Sequence, residues 1–227
     1  MKVGIIILCR YSSTRLPGKI LMEIEGKSVL ENIHARLLQS KSVDQVIIAT
    51  SDDTSDDVIE SFCNSKQIPC YRGSLKNVSE RFMKCAQEFK LDYAIRINGD
   101  NLLIDLDLLS NMIAQSKNEA LDFCSNVPGR TFPYGMSIEI VKTDFYAKVF
   151  QNFNNDRDLE HVTIHLYEND AYGKYKFIEN TSYPNLKGVK LAIDTIEDFE
   201  NAKLLAEALP GFPTDYNIED ISKLIQA

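Results

Sequence analysis

Val3-Gly4-Ile5-Ile6-Ile7-Leu8-Cys9-Arg10-Tyr11-Ser12-Ser13-Thr14-Arg15-Leu16-Pro17-Gly18-Lys19 is the stretch on which the reading of this chain turns. Residues 3–8 are continuously apolar, the pattern of a strand covered on both faces. The run passes directly into three cations interleaved with hydroxyls and a Pro-Gly turn. In open parallel sheets, ligands bind beyond the carboxyl ends of the strands. A loop of this composition in that place suits a polyphosphate, because N–H groups and hydroxyls satisfy its oxygens while Arg and Lys neutralise its charge. A solvated basic loop is the plainer alternative. The absence of any acid through Met22 weighs against it.

Working outward, β-rich runs alternate with amphipathic ones. Residues 28–39 read as a helix, with Ser28 and Glu31 at capping-box spacing and Val29, Leu30, Ile33 and Leu37 on one face. Residues 46–49, 69–71, 93–97 and 122–125 read as strands. Between them, 56–66 (Val58, Ile59 and Phe62 on one side), 77–90 and 106–117 read as helices. This order predicts an α/β fold, a mainly parallel Rossmann-like sheet with helices on both faces. Past Asn126 the pattern loosens. Strands are predicted at 137–141, 176–179 and 189–193, and helices at 160–168, 196–209 and 218–225. Residues 1–227 read as a single domain, with about 126–190 a subregion laid over the same core.

The chain's 227 residues carry a net charge of −8, with 44% hydrophobic and 26% charged residues, an ordinary globular balance. An acidic chain is a poor partner for nucleic acid. No apolar run approaches the roughly 20 residues that span a bilayer, and residues 3–9 are too short for the core of a signal peptide. The charge is uneven. Lys2, Arg10, Arg15 and Lys19 give the first 22 residues +4, so the rest carries −12. Five cysteines with no C-x-x-C pair predict free buried thiols and a reducing, cytoplasmic setting.

Gly26-Lys27-Ser28 is the tail of a Walker A loop, but its first Gly would fall at Leu21, and a turn before a capped helix is the better reading. Arg10 through Lys19, in contrast, resembles the signature of the CMP-sugar synthetases, especially the 3-deoxy-manno-octulosonate cytidylyltransferases. The whole chain is even more similar to the spore-coat-polysaccharide cytidylyltransferase-like branch. Tyr71-Arg72-Gly73-Ser74 with Asn77-Val78-Ser79-Glu80-Arg81-Phe82, then Arg96-Ile97-Asn98-Gly99-Asp100, Glu160-His161-Val162-Thr163 and Asp194-Thr195-Ile196-Glu197-Asp198 match in order. Departures are Leu8-Cys9, where the family often has Pro or Gln and then Ala, and Tyr134 and Ser137, where it usually has acids.

The resemblance implies a GT-A-like nucleotide-diphospho-sugar transferase fold. It also implies a CTP-dependent enzyme that moves CMP to a sugar-derived acceptor, an ulosonic acid or a sugar or polyol phosphate, for surface polysaccharide synthesis. Cys9, Arg10, Ser13, Arg15 and Lys19 would surround the nucleotide, with Arg15, Lys19 and Asp100 catalytic and Arg72, Asn77 and Ser79 facing the base. Asn77 is equally well placed as a helix N-cap. Asp100 and Asp194 would hold Mg²⁺, although Asp194 alone reads as a helix-start acid. Asp105-Leu106-Asp107 more simply caps the next helix. Arg130, Glu139 and His161 would serve the acceptor, in a region that also makes a homodimer contact. His161 and His165 stand at a zinc-compatible spacing on the predicted helix, but with no third ligand His165 reads as structural. A glycosyltransferase of the same fold and a non-catalytic nucleotide-binding protein are the alternatives.

Overall fold

A computed structural model describes residues 1–226. β1 (Val3–Leu8) leads to a hairpin of β2 (Glu23–Ile24) and β3 (Lys27–Ser28) and then to helix α1 (Val29–Leu37). β4 (Gln45–Ser51), α2 (Asp57–Lys66), β5 (Cys70–Gly73), α3 (Val78–Glu88) and β6 (Tyr93–Asn98) alternate after it. Next come α4 (Leu106–Asn118), β7 (Phe123–Ser125), β8 (Glu139–Lys142) and α5 (Thr143–Phe150). α6 (Asp156–Glu160), α7 (Ile164–Glu168), β9 (Tyr175–Phe177), α8 (Ile196–Ala208) and α9 (Ile218–Gln226) complete the order.

Seven strands form one sheet in the order β5-β4-β1-β6-β8-β7-β9. Neighbours are parallel except at β8, which runs antiparallel to both β6 and β7. β1 is central, between β4 and β6, and every residue of it is buried. Its side chains alternate: Ile5 and Ile7 enter one core with residues of α1, α2, α4, α8 and α9. Ile6 and Leu8 enter the other with residues of α3, α5 and α7. That two-sided cover is why the run shows no polar alternation.

The carboxyl ends of β1 and β6 lie side by side, Leu8 opposite Asn98. Local signals hold at the helix starts. Ser28, Asn77 and Asp105 each accept the backbone N–H three residues on, and Thr195 with Asp198 makes a full capping box. The Gly26-Lys27-Ser28 segment is a hairpin turn with Glu25 and Gly26 both at positive φ, followed by the cap of α1.

Three expectations change. In α2, Ile59 and Cys63 face the core and Val58 is 40% exposed. The helix predicted over 160–168 is two short helices broken at 161–163, with Val162 at φ +31°. Long-range bonds override the local pattern there: the Tyr146 hydroxyl donates to the Val162 carbonyl (2.7 Å), and the Thr163 hydroxyl donates to Glu139 (2.5 Å). Residues 189–193 join no ladder; among them Lys190 makes a single bridge to Tyr134. All five cysteines are free, four buried and Cys70 half-buried.

Candidate active site

The segment after β1 is a closed loop. Tyr11 is its hub: its carbonyl accepts the N–H groups of both Ser13 and Gly18 at 2.9 Å. Gly18 takes φ +72°, and a Cβ there would meet the Tyr11 ring at 3.1 Å. The chain can then reverse and carry Lys19 back beneath the sheet's carboxyl edge, where it is 8% exposed. Cys9 packs against the turn after β6 so closely that a Cβ on Gly99 would lie 2.6 Å from its own Cβ. Burial pushes the Cys9 thiol up, so it is a protonated wall of the site.

Asp100 and Asp194 come from distant parts of the chain and are stitched together by backbone. The Ile193 N–H donates to the Asp100 carbonyl at 3.2 Å. Lys19 joins the two side chains, its ammonium 3.0 Å from Asp100 Oδ2 and 3.5 Å from Asp194 Oδ1, and it also donates to the Ile193 carbonyl. Arg15 reaches the same Asp194 oxygen at 2.7 Å. Asp198, in the capping box of α8, accepts the N–H groups of Asp194 (3.0 Å) and Thr195 (2.9 Å) and so fixes the floor beneath.

Two hard carboxylates converging on one cation fit Mg²⁺, which uses one or two protein carboxylates and completes its shell with phosphate oxygens and water. Among the described residues no group of three His, Cys, Asp or Glu side chains makes a self-sufficient metal site.

Cys9, Arg15, Lys19, Asp100 and Asp194 line a cleft of about 320 Å³ together with Arg10, Ser13 and His161. A second cavity of about 610 Å³ shares Arg15, Asn98, Asp100 and Asp194 with it and continues to Arg130 and Tyr134. A third, about 340 Å³, is bordered by Arg96, Arg130, Glu139 and His161.

Three residues expected at the base are not among those lining this cleft. Arg72 turns towards α2, where it bonds Glu60 (2.8 Å), Asp57 (2.7 Å) and the carbonyls of Ser51 and Asp53 (both 2.9 Å). Asn77 caps α3, and Ser79, fully buried, donates to the Asp158 carbonyl at 2.6 Å. The cleft is lined instead by Val78 and Arg81. Arg81 is 3% exposed; among the described residues its Nε has no partner, and its guanidinium donates to the Ser74 carbonyl at 3.4 Å. Burial lowers its pKa. Sequence reasoning passed it over, although a cation at i+3 from Val78 on the same apolar stripe as Phe82 and Cys85 is a legible signal.

On the far side, Glu139 is 3% exposed, and both its oxygens are engaged. It accepts from Thr163 (2.5 Å) and Tyr167 (2.6 Å) and pairs with Arg96. Burial disfavours the charged form of Arg96, and Glu139 outweighs it, holding the guanidinium's pKa up. Glu139 thus braces the third cavity instead of offering a free carboxylate. Arg130 is exposed, with its guanidinium 4.9 Å above the Tyr134 ring. His161 is exposed at the break between α6 and α7, whereas His165 lies 3.2 Å from Asp158 and stacks on Tyr172. The break removes the helical i,i+4 relation between the two histidines.

Residues 4–226 match the model of the cytidylyltransferase family. Over 205 residues the chain is 32% identical to the spore coat polysaccharide biosynthesis protein SpsF of Bacillus subtilis, covering 88% of this chain and 84% of that protein. It is 26% identical to a 3-deoxy-manno-octulosonate cytidylyltransferase of Escherichia coli over 99% of this chain and 96% of the relative. The solved structure of a cytidylyltransferase from Leptospira borgpetersenii superposes with a TM-score of 0.91 at 29% identity, covering 100% of this chain and 94% of that one.

Proposed function

The chain belongs to the cytidylyltransferase family, and from that premise we propose that it transfers CMP from CTP to a sugar-derived acceptor, an ulosonic acid or a sugar or polyol phosphate, releasing pyrophosphate. The observation that carries this reading is the convergence of Arg15, Lys19, Asp100 and Asp194 at the mouth of the Arg10–Ser13 loop. A diphosphate-sugar would need less positive charge than Arg10, Arg15 and Lys19 supply together.

In the transfer, an acceptor oxygen attacks the α-phosphorus while the bond to the bridging oxygen breaks and pyrophosphate departs on the opposite side. Arg10 and Ser13 hold phosphate oxygens, and Lys19 and Arg15 neutralise charge on the leaving pyrophosphate. Arg81, buried and short of partners, presents a further cation to the nucleotide. Asp100 and Asp194 would hold Mg²⁺, which supplies charge neutralisation at the phosphates when bound. The acceptor occupies the second and third cavities, where Arg130 and His161 offer donors to an anionic group.

Similarity to a spore-coat polysaccharide protein supports a place in surface polysaccharide synthesis. The 126–190 region would also form the homodimer contact; β9, at the end of the sheet, carries Phe177 at 41% exposure. The test is incubation with CTP, Mg²⁺ and a panel of ulosonic acids and sugar and polyol phosphates. Pyrophosphate release with one class of acceptor is expected. CTP binding without release for any of them would overturn the transferase reading in favour of a binding protein.

A further inference from the structure

Asp56 is fully buried and is absent from the cleft lining, yet it touches the phosphate-loop backbone directly. Its Oδ1 accepts the Tyr11 N–H at 2.7 Å. Its Oδ2 accepts the Thr50 hydroxyl and the Ser51 N–H, both at 2.9 Å, and the Ser51 hydroxyl. Among the described residues no Lys or Arg makes an ion pair with it. A buried carboxylate held only by neutral N–H and O–H donors makes short, directional, charge-assisted bonds.

The bond to Tyr11 matters because of what Tyr11 does. Its carbonyl closes the loop on the Ser13 and Gly18 amides, and its ring packs over Gly18, the residue before Lys19. A continuous chain of contacts therefore runs from the end of β4, through Asp56, to the Tyr11 hub and on to Ser13 and Gly18, the residue that precedes Lys19. Asp56 also puts a negative charge into the surroundings of Arg81, where its field opposes the effect of burial on that guanidinium.

We propose that Asp56 is a positioning residue for triphosphate binding: it anchors the Tyr11 amide to the end of β4, so that the Arg10–Lys19 loop is preformed around the phosphates before nucleotide arrives. The inference rests on the nucleotide reading of the cleft. Preforming the loop removes an ordering cost that binding would otherwise carry. It acts on the phosphates the loop contacts and much less on the nucleoside.

Three variants test it: Asp56→Asn, a chain with the α-hydroxy analogue of tyrosine at position 11, and Thr50→Val. Asp56→Asn keeps the shape but removes the charge and turns an NH₂ towards groups that are themselves donors. The α-hydroxy analogue replaces the Tyr11 N–H by an ester oxygen and cuts the same link with Asp56 intact. Thr50→Val removes a bond to Asp56 that does not touch the loop. CTP and CMP affinities are measured by titration, the Tyr11 amide by hydrogen exchange without nucleotide, and folding by thermal melting. In the first two variants, CTP affinity is expected to fall at least tenfold and CMP affinity less than threefold. The Tyr11 amide, where present, exchanges faster. Thr50→Val lowers the melting temperature and keeps the wild-type CTP-to-CMP ratio. Should Asp56→Asn fail to fold, the ester variant decides. An unchanged CTP-to-CMP ratio in folded Asp56→Asn or in the ester variant, or an unchanged Tyr11 exchange rate in Asp56→Asn, overturns the inference. Failure of the unmodified protein to bind CTP overturns the nucleotide reading instead, and the Tyr11 exchange rate still judges the anchor.

Discussion

Lys19 Nζ lies 3.0 Å from Oδ2 of Asp100, an ion pair between the loop after β1 and the turn after β6, with both groups largely shielded from water. The same ammonium reaches Asp194, so one cation holds together two carboxylates that would otherwise repel. It lines the cleft in which the proposed function places the triphosphate.

Replacing Lys19 with Ala should weaken CTP binding by about 10- to 100-fold, from the loss of charge-assisted bonds of roughly 1.5–3 kcal/mol. CMP binding should change by less than about threefold, since a monophosphate lacks the groups Lys19 meets. Calorimetric titration with each nucleotide checks the difference. An equal loss for both would remove Lys19 from the pyrophosphate end.

Asp100→Asn should lower turnover by roughly 10²-fold or more, the scale seen when one electrostatic group is removed from a transition state, with the melting curve still cooperative. Pyrophosphate release measured over a Mg²⁺ series gives the answer. Wild-type activity with wild-type Mg²⁺ dependence would show that Asp100 does not hold the metal.

Arg72 and Arg81 should part company. Arg72 is bound to two carboxylates and two carbonyls on the α2 side, so Arg72→Ala should cost about 1–2 kcal/mol of stability and leave CTP affinity within twofold. Arg81→Ala should weaken CTP binding tenfold or more, because its guanidinium lines the cleft with Nε unpartnered. Chemical denaturation and nucleotide titration on both variants separate the two roles.

Asp198 predicts a pH effect. Burial would raise its pKa, but the Lys190 ammonium at 2.5 Å and the N–H groups of Thr195 and Asp194 outweigh burial and hold the carboxyl below the usual carboxylate range. A depressed folded pKa means the contribution is present above the unfolded value, near 4, and is lost as pH falls through the folded one. Asp198→Asn should therefore destabilise by about 1 kcal/mol at pH 7, the cost of a weakened cap. The gap from wild type should close as the solution is acidified below about pH 4. Denaturant unfolding from pH 7 to pH 2.5 checks it, and a constant gap would contradict the assignment.

What the sequence determined by itself was whatever depends on neighbours along the chain. The apolar run into a cationic loop announced a strand buried on both faces with a basic loop at its carboxyl end. Spacing placed the caps at Ser28, Asn77, Asp105 and Thr195. The segment motifs singled out Asp100 and Asp194, which the fold brings to one ammonium. Only the tertiary structure decided the rest, because the partners lie far apart in sequence. The helical pattern around His161 gives way to bonds from Tyr146 and Glu139, and a free-looking Glu139 is consumed by Arg96, Thr163 and Tyr167. Arg72 is drawn to Asp57 and Glu60, while Arg81 enters the cleft in its place. Asp56 carries no local mark beyond an acid ahead of a helix, and its bond to Tyr11 exists only once β1 and β4 pair. Local patterns fix where the backbone turns, whereas the direction of a charged side chain depends on which opposite charges and polar groups the fold brings within reach.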